Sequence, residues 1–184
     1  MDSVQQFHQF FEHCVGSWTT ERTYHYLTQQ EVERSRTQFV INPIAPEVKA
    51  RVLSDNEYPS QPCLDELPGF HLAFDTVSEK GEEVSQALNM LFVTHQQDNG
   101  ILVGDYLRDR AYEEAKPMVA KFRFDPVQRE LLMTTTYTRV VAVDSITLVN
   151  PTLRIRKIVT YRRPEADQPM DEVVLVGFGV EQKQ

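Results

Sequence analysis

The chain has 184 residues, 41% hydrophobic and 25% charged. That is an ordinary soluble composition and a length at which one domain, residues 1–184, can bury its own core. A net charge of −8 and an isoelectric point near 5.1 argue against a nucleic-acid binder, which needs a basic surface to neutralise phosphates.

The first element reads as a helix. Phe7, Phe10, Phe11, Cys14 and Val15 form one apolar stripe at helical spacing. Asp2 or Ser3 suits its N-cap, and Gly16 stands where a left-handed residue would end it. From Ser17 the hydrophobic period changes to two. Ser17–Thr28 and Val32–Ile41 read as strands, a short helix follows at Pro46–Leu53, and a Pro-rich loop spans Asn56–Pro68. Strand patterns resume at Gly69–Val77, Glu83–His95, Gly100–Arg108, Met118–Asp125, Glu130–Arg139, Val140–Val149, Leu153–Arg163 and Asp171–Glu181. The gaps are too short for βαβ crossovers. The expectation is an all-β fold with one long N-terminal helix: an antiparallel ten-stranded barrel, which has no free edges and can hold one small ligand.

Side chains alternate across a strand, so Trp18, Thr20, Arg22, Tyr24 and Tyr26 share one face, and Arg154, Arg156, Ile158 and Thr160 another. Two arrangements fit this alternation. Pointing inward, the arginines line an apolar cavity and suit a ligand with one or two carboxylates, because guanidinium forks match carboxylates; pointing outward, they are solvated. Trp18, the only tryptophan, likewise has two readings. It either closes one barrel end beneath Arg154 or Arg156, or touches the ligand. Asp105, Asp144 and Glu21 are candidate internal acids. The five histidines are scattered, and Cys14 and Cys63 have no paired spacing, so neither a zinc site nor a disulfide is expected. No run approaches the roughly 20 apolar residues of a membrane span, and no signal peptide is visible at the N-terminus. The expected setting is a reducing compartment.

Three blocks carry a family resemblance: FFEHCVGSWTTERTYHYL from Phe10, LRDRAYEEAKPMVAKFRF from Leu107, and LLMTTTYTRVVAVDSITLVNPTLRIRKIV from Leu131. In this order they resemble the CpcS/CpeS-type phycobiliprotein lyases. In that family a Phe-Phe helix leads into Gly-x-Trp, an Arg and a His; a Leu-Arg-Asp stretch follows mid-chain; and an Asn/Ser-Pro-x-Leu-Arg-x-Arg strand comes late. Trp18, Arg22 and His25 match the first block, and Arg108, Tyr112, Glu114 and Pro117 the second. Thr134, Thr135, Tyr137, Asn150, Pro151, Leu153, Arg154 and Arg156 match the third.

The resemblance implies a lipocalin-like barrel that binds a linear tetrapyrrole such as phycocyanobilin and attaches it through a thioether to a cysteine of a phycobiliprotein subunit, phycocyanin or allophycocyanin. The bilin is then substrate, and no permanent cofactor or metal is implied. Arg154 and Arg156 become propionate contacts, with Arg22, Trp18, Tyr137 and Asn150 beside the bilin. Thr20-Glu21 stands where the family commonly has Ser-Gln, Thr147 where an aromatic is expected, and Thr136 where an acid is usual. That last change leaves Asp144 as the candidate proton donor. A two-fold dimer, the commonest assembly, completes the expectation. The alternative is a non-catalytic carrier of a fatty acid or another carboxylate-bearing apolar ligand.

Overall fold

A computed structural model describes residues 2–109 and 116–184. Tyr112 and Glu114, matched above to the family pattern, lie outside the described residues. The first helix, α1, spans Ser3–Cys14, capped by Asp2 in a reciprocal capping box with Gln5. It ends one step before the expected glycine: Val15 is the extended C-cap, and Gly16 (φ +125°) already opens β1. Gly16 is still favoured there, because φ +125° is a backbone conformation that residues with a Cβ rarely adopt.

Ten strands follow: β1 Gly16–Tyr26, β2 Glu31–Pro43, β3 Gly69–Ser78, β4 Glu83–Asp98, β5 Ile101–Arg108, β6 Met118–Asp125, β7 Glu130–Thr136, β8 Val140–Asn150, β9 Leu153–Arg162 and β10 Val173–Lys183. Each pairs antiparallel with its chain neighbours, and β1 pairs with β10 to close the barrel. β7 stops at Thr136, earlier than its hydrophobic pattern implies, because the Tyr137 amide bonds to Val140 O at 2.8 Å and turns the chain.

The base of the barrel is plugged by α1. Phe7 stacks on Phe122 at 5.2 Å, and Phe11 stacks on Phe70 at 4.7 Å. Aromatic pairs of this kind add to the burial of their area. The apolar stripe of the helix is thus the barrel's floor.

A second helix, α2 (Pro46–Asp55), starts with Pro at its first turn. It covers the outer wall: Val52 and Leu53 pack with Leu91, Val93 and Leu107, and Tyr58, Leu64 and Leu67 close over them. Lys49 Nζ donates to Leu64 O at 2.9 Å, tying α2 to the 3-10 turn Leu64–Glu66. No helix among the described residues is long and apolar enough to cross a membrane.

Candidate functional site

Inside the barrel is a cavity of about 500 Å³. Its walls are mainly apolar and aromatic, including Phe11, Phe39, Leu72, Phe92, Tyr106 and Ile146, and it extends to Val84, which is 46% exposed at the end away from α1. Arg22, Arg108, Arg154 and Arg156 all line it. Of the two arrangements that the alternation allowed, the inward one is therefore observed.

Two glycines make room for that lining. Gly179 sits in register between Arg22 of β1 and Arg156 of β9. A Cβ there would lie 2.9 Å from Thr20 Oγ1 and 3.0 Å from Arg22 Cγ. At Gly177 a Cβ would stand 2.7 Å from the Tyr24 ring. Bare backbone on β10 lets both β1 side chains fold across it into the lumen.

At the base, Trp18 is 1% exposed and its Nε1 donates to Cys14 O at 2.8 Å. The Arg154 guanidinium lies 4.8 Å above the indole and 5.0 Å above Phe39. Its Nε donates to Glu181, which is wholly buried and also meets Arg22 Nη2 at 3.4 Å. Burial alone would raise the Glu181 carboxyl, but Arg154, Arg156 and Arg22 reverse this and hold it below the usual carboxylate range. Arg154 is raised in turn, its burial outweighed by Glu181. Burial pushes the Cys14 thiol up despite Arg154 nearby, which makes it a poor nucleophile.

Halfway up the wall, Arg156 grips Asp144 through Nη2 at 2.8 Å and Nε at 3.2 Å, both side chains remaining partly accessible. Arg22 lies one strand beyond the bare backbone of Gly179, and its buried Nε has no hydrogen-bond partner among the described residues. Higher still, Arg108 is 4% exposed, donates to Tyr137 Oη at 3.0 Å and faces the Tyr106 ring at 5.3 Å.

The residues singled out in the sequence thus separate by depth. Arg22, Tyr137, Asp144, Arg154 and Arg156 are brought together on the cavity wall. Trp18 lies beneath Arg154 as part of the closed base and is not among the lining residues. Asn150 is elsewhere: it is exposed at the end of β8, where its Oδ1 accepts from the Thr152 amide at 2.9 Å and shapes the turn.

Two of the three candidate acids face outward. Glu21 pairs with Arg36 on the exposed outer surface at 2.9 Å. Asp105 lies under the segment after α2, bonded to Tyr58, His95 and Lys121. Among the three, Asp144 alone lines the cavity. Sequence reasoning passed over Glu181, buried behind the lining, and matched Arg108 to the family pattern without giving it a place at the site. The period of β10 puts Glu181 on the face of Gly177 and Gly179, but its partners depend on strand register.

A CpeS-like protein family model matches residues 6–184. The chain belongs to the CpcS/CpeS chromophore lyase family. A curated relative from Synechococcus sp., named Chromophore lyase CpcS/CpeS 1, is 63% identical over 183 residues, covering 100% of this chain and 99% of its own. A more distant chromophore lyase from Thermosynechococcus vestitus is 23% identical over 153 residues, covering 83% and 82%. Among solved structures, the S-type phycobiliprotein lyase of Guillardia theta superposes with a TM-score of 0.74 at 17% identity, over 97% of this chain and 92% of that one. That likeness extends to the fold of the CpcS/CpeS lyases: the closed ten-stranded barrel is lipocalin-like.

Proposed function

We propose that this lyase binds phycocyanobilin in its barrel and attaches it by a thioether to a cysteine of a phycocyanin or allophycocyanin subunit. The observation that carries the reading is the cavity's composition. An extended apolar ring system with two propionates calls for an apolar lumen with arginines at reachable depth, and Arg22 and Arg156 supply them. The name of the 63%-identical relative supports the same reaction class.

The chemistry needs little covalent help. The acceptor's sulfur bonds to the exocyclic carbon of the ring A ethylidene group, the C=C π bond is consumed, and a proton is added to the tetrapyrrole, balancing the one the thiol gives up. The protein's task is to fix the bilin's conformation and exclude water while the reactive group faces the acceptor. Asp144 is the proposed proton donor, since among the three candidate acids it alone lines the cavity. A positioned acid contributes typically about 10²–10⁴-fold. A bilin propionate would share Arg156 with Asp144, so binding and the acid's environment are linked at one guanidinium. The reaction would take place in the cytoplasm. A two-fold dimer remains part of the proposal, and sedimentation velocity tests it.

The purified protein is mixed with phycocyanobilin and scanned for a red-shifted absorbance. An apo-phycobiliprotein is then added, and covalent colour is sought on an acid-urea gel by zinc fluorescence. Colour that survives the gel supports the lyase reading. A spectral shift without covalent colour supports instead a non-catalytic carrier of apolar carboxylates.

A further inference from the structure

A second cavity, of about 390 Å³, lies at the plugged end between α1 and the β6–β7 turn. Gln6, Gln9 and His13 recur along α1 at i, i+3 and i+7, so they form a polar stripe beside the apolar one that plugs the barrel. Arg129 lines the cavity from the turn. Phe10, Phe124 and Pro126 complete the lining with apolar surface.

The polar lining consists of amide, imidazole and guanidinium groups, and no carboxylate lines this cavity among the described residues. The two acids flanking the β6–β7 turn are committed elsewhere. Asp125 Oδ1 accepts from the Val127 and Gln128 amides, while Glu130 meets Ser145 and Lys157. His13 Nδ1 is buried and has no hydrogen-bond partner among the described residues. Among the described residues the Arg129 side chain makes one long hydrogen bond, Nη1 to Val149 O at 3.5 Å. The His13 ring lines the cavity with its Nδ1 turned away from it, and a guanidinium beside aromatic surface suits a planar anion.

We infer that this cleft is a binding site for a carboxylate carried on an apolar or aromatic body, separate from the barrel cavity. The carboxylate lies on the Arg129 guanidinium with His13 and the Gln amides around it, and the body rests on Phe10, Phe124 and Pro126. Phe10 lines both cavities, so the two sites share one side chain but open at opposite ends of the barrel.

Benzoate is the probe, titrated into the full-length protein while the His13 imidazole and Phe10 ring resonances are followed by NMR. Arg129 has φ +51°, a conformation glycine takes without strain, so Arg129→Gly removes the guanidinium without cost to the fold. Arg129→Asn, also tolerant of that region, serves if the glycine variant melts early. Saturable shifts at His13 and Phe10 are expected, weakened roughly tenfold or more in either variant. Benzamide and inorganic phosphate, each lacking one half of the recognition, should bind more weakly than benzoate. Arg156→Ala should leave the His13 response intact, which separates this site from the barrel cavity. The inference is overturned if His13 shows no saturable shift, if the Arg129 variants bind benzoate as well as the parent, or if Arg156→Ala abolishes the His13 response.

Discussion

Glu181 and the arginines around it divide the site into a part that folds and a part that binds. Glu181 is fully enclosed between Arg154 and Arg22, and removing one partner of a buried pair leaves uncompensated charge. Glu181→Gln is therefore expected to cost about 3 kcal/mol, read from the urea unfolding midpoint. The pH dependence has a definite sign. A carboxyl held below its ordinary value stabilises the fold above that value and stops doing so as pH falls through the folded one. The variant should accordingly lose part of the parent's acid-induced destabilisation, and an unchanged acid limb would contradict this role. Arg154→Ala should fail in the same way, in stability first. Arg156 differs, because its pair with Asp144 is partly accessible and accessible pairs contribute under about 1 kcal/mol. Arg156→Ala should thus fold, yet bind phycocyanobilin roughly tenfold to a hundredfold more weakly in an absorbance titration. Equal affinity in parent and variant would remove Arg156 as an anchor.

At the scale of elements, the segment from α2 to Pro68 acts as a strap fastened across β4, β5 and β6. Its apolar underside meets Leu91, Val93 and Leu107, and its polar fastening is Tyr58, whose hydroxyl donates to Asp105 Oδ2 at 2.6 Å. His95 Nε2 and Lys121 Nζ reach the same carboxylate at 2.7 and 2.5 Å. Burial would raise Asp105, but the hydrogen bonds from Lys121, Tyr58 and His95 outweigh it and hold the carboxyl at about 2, against an ordinary 3.8. The corresponding stabilisation, on the order of 2 kcal/mol, is present above pH 3.8 and lost as pH falls through about 2. Asp105→Asn should lower stability by that order at pH 7, with the gap to the parent closing toward pH 2. A gap that stayed constant with pH would show that the loss is one of packing alone. This fastening could not be read from the sequence. Asp105 looked like an internal acid because the strand period tells which residues share a face but not which face is inside.

At the scale of the whole molecule, the order of elements was legible because most of the chain alternates with period two and turn residues separate the runs. The ten strands follow from that pattern and the two helices from the runs that break it, but the plugging role of the first helix shows only in the fold. Register was not legible. Arg22 and Glu181 are 159 residues apart, and only closure of β1 on β10 brings them together. The same closure leaves a cavity of about 500 Å³ sealed by α1 at one end. A ligand that enters it buries apolar surface the unfolded chain cannot offer, so binding must stabilise the fold. At a free phycocyanobilin concentration about a hundredfold above its dissociation constant, the gain is about 2.7 kcal/mol. For a chain of this length that raises the melting temperature by roughly 5–10 °C, measurable by far-ultraviolet circular dichroism. Arg156→Ala should reduce the rise at the same bilin concentration, because its affinity is lower. Arg129→Gly, at the plugged end, should leave the rise unchanged. A bilin-independent melting temperature would mean that the barrel cavity is not where the chromophore resides.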